Sequence, residues 1–113
     1  MPFQPLTGWE CRTIPVADAR PLLGFEVVGD SMVPQYLPGD VAICDRLASP
    51  IIGEPAVVKL ATGEVVVKIW RQMGNYIFLQ SVNPTGANFE ELTPEDIAWA
   101  APVVALWREM RKR

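Results

Sequence analysis

The chain has no histidine among its 113 residues. That absence removes the Ser-His-Asp and Cys-His schemes of nucleophilic catalysis, leaving lysine as the base open to a nucleophilic serine. Cysteine is scarce. The two residues present, Cys11 and Cys44, cannot build a disulfide framework and lack the CxxC spacing of a metal or redox site. With no imidazole to complete a ligand set, no metal and no cofactor are expected. Cys44 closes the apolar run Val41-Ala42-Ile43 and reads as a small buried hydrophobe. No apolar run reaches the roughly 18 residues of a membrane-spanning helix, and the best candidate, Ala98 to Trp107, contains Pro102. The start, Met1-Pro2-Phe3-Gln4-Pro5, has neither the basic opening nor the apolar centre of a signal peptide. A cytoplasmic, membrane-free protein is expected. A basic charge field is missing too. Net charge is −3, and because Arg108 to Arg113 holds four basic residues and one acidic, the rest carries −6. That body is a poor fit to nucleic acid, and the basic tail reads as a solvated terminus.

What the chain has instead is punctuation. Eleven prolines and eight glycines break a half-hydrophobic sequence into short segments, which argues for strands and turns rather than helices. Its length suits a single domain. Residues 1–24, with Pro2, Pro5, Pro15 and Pro21, read as an extended arm, and residues 25–113 as the folded domain. Within that domain the expected strands are Phe25–Val28, Val41–Asp45, Ala56–Leu60, Glu64–Arg71, Tyr76–Gln80 and Trp99–Trp107. A single helical or 3₁₀ turn is expected at Val33–Leu37 and one short turn opening at Glu95-Asp96. Residues 81–93 read as loop. Hairpins turn at Ala61-Thr62-Gly63 and at Gly74-Asn75.

Two stretches carry chemistry. In Phe25 to Asp40 a short strand breaks at Gly29-Asp30 and places Ser31 on the turn. A serine so placed has its hydroxyl lifted clear of the sheet, with backbone N–H groups of Asp30 and Ser31 able to face an oxyanion. Gly-Asp-Ser is also ordinary turn chemistry, so this stretch alone does not make a nucleophile. The second stretch is Glu64 to Arg71, where Lys68 sits in a run of β-branched and aromatic residues. Strand alternation puts Lys68 on the face of Val66 and Trp70. Desolvation there disfavours the ammonium form, and a neutral amine can take a proton from a serine hydroxyl. The alternative for Lys68 is a stem lying along the strand with its ammonium in water.

Together, GDSMVPQYLPGDVAICD (Gly29 to Asp45), EVVVKIW (Glu64 to Trp70), LQSVNP (Leu79 to Pro84) and VVALWR (Val103 to Arg108) resemble the LexA/UmuD family of self-cleaving serine–lysine peptidase domains. The likeness covers most of the chain from Phe25 onward, and the 37-residue separation of Ser31 and Lys68 is similar to that of LexA-type members. It implies a mainly β fold, a small, partly open barrel of short antiparallel strands with one or two short helical turns. It implies Ser31 as nucleophile and Lys68 as its general base. It further implies intramolecular cleavage promoted by the RecA filament, a regulatory role in an SOS or prophage repressor, and homodimers formed through the last strand. Val103, Val104 and Leu106 would supply an apolar edge for that pairing.

One departure matters. The family's scissile Ala-Gly or Cys-Gly lies a few tens of residues upstream of the nucleophile, and neither dipeptide occurs in this sequence. No helix-turn-helix pattern precedes Phe25 either, so a repressor's DNA-binding half is expected to lie outside it. A UmuD-like polymerase accessory subunit and a non-cleaving dimerisation module are the alternatives. A signal-peptidase relative is suggested by SMVP followed by PGD, but it would need a membrane anchor, and none is expected here.

Overall fold

Runs of β-branched and aromatic residues between glycine and proline turns fold here into one antiparallel sheet. The computed structural model describes residues 11–14 and 21–109, the side chains from residue 21 onward. The strands are β1 (Cys11–Ile14), β2 (Leu22–Val27), β3 (Val41–Asp45), β4 (Pro55–Leu60), β5 (Val65–Met73), β6 (Tyr76–Gln80), β7 (Phe89–Leu92) and β8 (Ile97–Trp107). All eight join in the order β1-β2-β3-β8-β4-β5-β6-β7, each ladder antiparallel. The sheet curls until β1 lies against β5, while β1 and β7 remain its two margins. This is the mainly β, partly open architecture that the sequence implies. The described helical structure is one 3₁₀ turn, Pro94–Asp96, where the Asp96 carboxylate accepts from the Thr93 N–H at 2.9 Å.

The central strand β5 explains the continuous apolar run around Lys68. Both of its faces are covered: Val65 and Val67 join a core with Phe25, Met32 and Cys44, while Val66 and Trp70 join a second with Leu60 and Leu79. A strand buried on both sides has no polar face to alternate with. The hairpin to β6 is tight, pairing Met73 with Tyr76 across Gly74-Asn75, with Gly74 at φ 59°. A side chain rarely tolerates that left-handed φ, and glycine does.

Several boundaries differ from the sequence reading. β2 starts at Leu22 rather than Phe25, because Leu22 and Leu23 continue the ladder to Asp45 and Cys44. The boundary expected after residue 24 thus falls inside a strand. Most of the expected arm, residues 1–10 and 15–20, lies outside the described residues. Residues 81–93 are not all loop, since β7 pairs with β6. Its sequence, Phe-Glu-Glu-Leu, carries little strand propensity, and it forms where one side needs no partner, at the sheet's margin. The expected turn after Ser31 is a single turn, with the Tyr36 N–H donating to the Met32 carbonyl at 2.8 Å.

The last strand is longer than expected and lies inside the sheet. β8 pairs with β4 up to Pro102 and with β3 from Val103 onward. The apolar edge read into Val103, Val104 and Leu106 is therefore an interior strand. Beyond Pro102 its ladder to β4 has ended, and Val104, Leu106 and Trp107 remain 53%, 43% and 55% exposed. The solvated tail is also corrected at its first residue. Arg108 Nε and one terminal nitrogen donate to the two carboxylate oxygens of Asp40 at 2.8 and 2.7 Å, and Asp40 is buried. Residues 110–113 lie outside the described residues.

Cys44 is fully buried, as its apolar neighbours suggest. Burial pushes its thiol up to about 11, with the Arg46 charge pulling the other way. An unfolded thiol ionises near pH 8.5. The stability this gives is therefore complete below that pH and is lost as pH rises through about 11. Iodoacetamide at pH 8 is expected to leave Cys44 unmodified in the native protein and to alkylate it in denaturant, read by peptide mass mapping. Equal modification in both states would contradict the burial.

Candidate active site

The turn between β2 and β3 and the middle of β5 deliver the two residues that the sequence singled out. Ser31 follows β2 immediately past Gly29-Asp30, and its neighbour Met32 is buried in the first core. Lys68 lies halfway along β5, opposite Ala56 of β4. The Nζ of Lys68 is 2.8 Å from the Oγ of Ser31. Lys68 is 0% exposed and Ser31 8%, which excludes an ammonium reaching into water from a strand-hugging stem. The sequence places these residues together, and they are together.

A second hydroxyl, which the sequence reading did not single out, shares the amine. Ser81 Oγ is also 2.8 Å from Lys68 Nζ, and Ser81 is 7% exposed. Its position follows from register. The β5–β6 hairpin pairs Ile69 with Gln80, so the next residue along, Ser81, faces Lys68. The signal was present in the two-residue turn Gly74-Asn75, which fixes that register in advance. Ser81 Oγ donates in turn to the Ala87 carbonyl. The Ser81 N–H donates to Asn88 Oδ1 at 2.7 Å.

Residues 82–88 close over this cluster. The Asn83 N–H donates to the Ser31 carbonyl at 2.8 Å, and its side-chain amide donates to the Asp30 carbonyl at 2.9 Å. Gly86 sits so near that an added Cβ would lie 2.8 Å from the Cβ atoms of both Ser31 and Ser81. On the other side, Asp40 secures the segment after Ser31 by accepting from the Leu37 N–H at 2.8 Å while holding Arg108. Burial, reinforced by the Asp40 charge, raises the ionisation of the Tyr36 phenol above its ordinary range, so it stays neutral. Among the described residues no group of three or more His, Cys, Asp and Glu side chains could hold a metal. No described helix is long and apolar enough to cross a membrane.

A buried amine bonded to a turn serine, on an open antiparallel sheet, defines the serine peptidase-type domains of the LexA/UmuD kind. The chain belongs to that family: the Peptidase S24-like family model matches residues 8–104. Comparison with curated proteins finds no match.

Proposed function

We propose that Ser31 and Lys68 are a working serine–lysine dyad, and that this domain is the self-cleaving regulatory half of a LexA-like or phage-type repressor. The observation that supports this reading is the 2.8 Å contact between a fully buried amine and a serine hydroxyl. Ser31 Oγ attacks the carbonyl carbon of a loop presented to the site, and its proton passes to the neutral Lys68 amine. The resulting ammonium returns the proton to the leaving amine, and water then releases the acyl group from Ser31. Backbone N–H groups of Asp30 and Ser31 are proposed as oxyanion donors, each contributing on the order of 3 kcal/mol. Promotion by the RecA filament belongs to the same proposal.

The test supplies the missing substrate. An Ala-Gly loop of the family type is fused to the N-terminus and the protein is incubated from pH 7 to 10. Cleavage after the alanine is expected to quicken with pH, as the likeness to LexA-type domains implies. Circular dichroism at each pH guards against the alkaline loss of stability that Cys44 brings. A folded protein whose loop stays intact at pH 10 would refute the dyad.

Homodimer formation through the exposed end of β8 is proposed alongside. Val104, Leu106 and Trp107 lie beyond the β4 ladder with apolar surface uncovered. Sedimentation velocity at tens of micromolar should give a dimer that weakens on Leu106→Glu. A monomer at every concentration would count against it. The UmuD-like alternative shares this domain and its chemistry.

A further inference from the structure

Two hydroxyls contact the buried amine, and they are not equivalent. A hydroxyl has one proton to give. Ser81 directs its proton to the Ala87 carbonyl, and its backbone N–H is held by Asn88 Oδ1 at 2.7 Å. With its proton so committed, the oxygen of Ser81 presents lone pairs to Lys68 Nζ, 2.8 Å away. We propose that Ser81 is the positioning residue of the dyad, accepting one N–H of Lys68 and thereby turning the lone pair of the neutral amine toward Ser31.

The geometry of an amine gives such an acceptor a role. Neutral Nζ has two hydrogens and one lone pair, and rotation about Cε–Nζ offers three staggered arrangements. A base works only in the arrangement that aims the lone pair at the Ser31 proton. An acceptor that cannot donate selects against the arrangement in which the lone pair faces Ser81. The same asymmetry decides which serine reacts. Ser81 cannot yield its proton to Lys68 while that proton is held by Ala87, which leaves Ser31 Oγ, 2.8 Å from the amine, as the hydroxyl to be deprotonated. Ser81 comes to this place by strand register and is held there by the chain that follows it. Gly86 packs directly on the Cβ of Ser81, bringing the Ala87 carbonyl within reach of the hydroxyl.

This inference rests on Ser31 and Lys68 acting as a dyad, and one experiment separates the two. The intact chain is treated with a fluorophosphonate probe. Ser31 Oγ bonds to phosphorus, fluoride leaves, and the serine proton passes to Lys68. Labelling is followed by mass spectrometry against probe concentration and pH, up to the alkaline plateau. For Ser81→Ala the limiting rate on the plateau is expected to fall about tenfold or more, with the half-saturating probe concentration within about twofold of wild type. Label should stay on Ser31. A wild-type limiting rate in Ser81→Ala, or a deficit that vanishes on the alkaline plateau, would overturn the positioning role. Label that persists in Ser31→Ala and sits on Ser81 would overturn it as well. A wild-type chain that does not label at Ser31, or labels equally well as Lys68→Met, would instead sink the dyad itself.

Discussion

Lys68→Met is expected to leave the sheet standing and remove self-cleavage of the fused loop, slowing it by about 10²- to 10⁴-fold. Lys68 is completely buried on a central strand, opposite Ala56 and on the face of Val66 and Trp70. Methionine is unbranched and of similar length, so it can fill the same volume with apolar atoms. Replacing a buried ionisable group by a hydrophobe of its own size is often neutral or stabilising. The hydroxyl of Ser81 keeps the Ala87 carbonyl as its partner. The melting temperature should therefore hold or rise while cleavage disappears. The two measurements together separate chemistry from folding, since a lysine that merely held the fold would lose both.

Gly86→Ala is expected to cost both stability and reactivity. Its Cβ would lie 2.8 Å from the Cβ of Ser31 and of Ser81, and 2.9 Å from the Cα of Ser31. The last of these is backbone, so no rotamer change relieves it. The loop would have to lift, against the two Asn83 hydrogen bonds that fasten it to Asp30 and Ser31. Overpacking of this kind typically costs about 1–3 kcal/mol, a fall in melting temperature of roughly 4–20 °C for a domain of this size. Lifting the loop also takes the Ala87 carbonyl from Ser81, so Ser31 labelling should slow by about tenfold or more. The cause is space, not backbone strain, because Gly86 does not sit at positive φ. A variant with native melting and native labelling would mean that this loop does not rest on Ser31.

How much of this could be read in the sequence depends on whether the information was local. The strands from Pro55 to Gln80 were legible because β-branched runs alternate with glycine turns, and Gly63 and Gly74 both adopt the positive φ that such turns use. Ser31 and Lys68 were legible as a pair because GDSMVP and EVVVKIW together resemble the LexA/UmuD family at a similar separation, in a chain with no histidine to offer another base. Ser81 was not, although LQSVNP stood out as a stretch. A serine before Val-Asn-Pro looks like a loop residue, and only the register of the Gly74-Asn75 hairpin brings it opposite Lys68. The Asp40–Arg108 pair joins residues 68 apart and has no local signature at all. β7 was missed because a sheet margin asks so little of its sequence.

The most direct measurement is which serine of the native chain the fluorophosphonate finds. There are three, Ser31, Ser49 and Ser81, so a peptide map resolves them all. The expected result is label on Ser31 alone, gone in Lys68→Met while that protein stays folded. Label spread over exposed Ser49, or a Ser31 that reacts just as fast without the lysine, would contradict a hydroxyl activated by a buried amine.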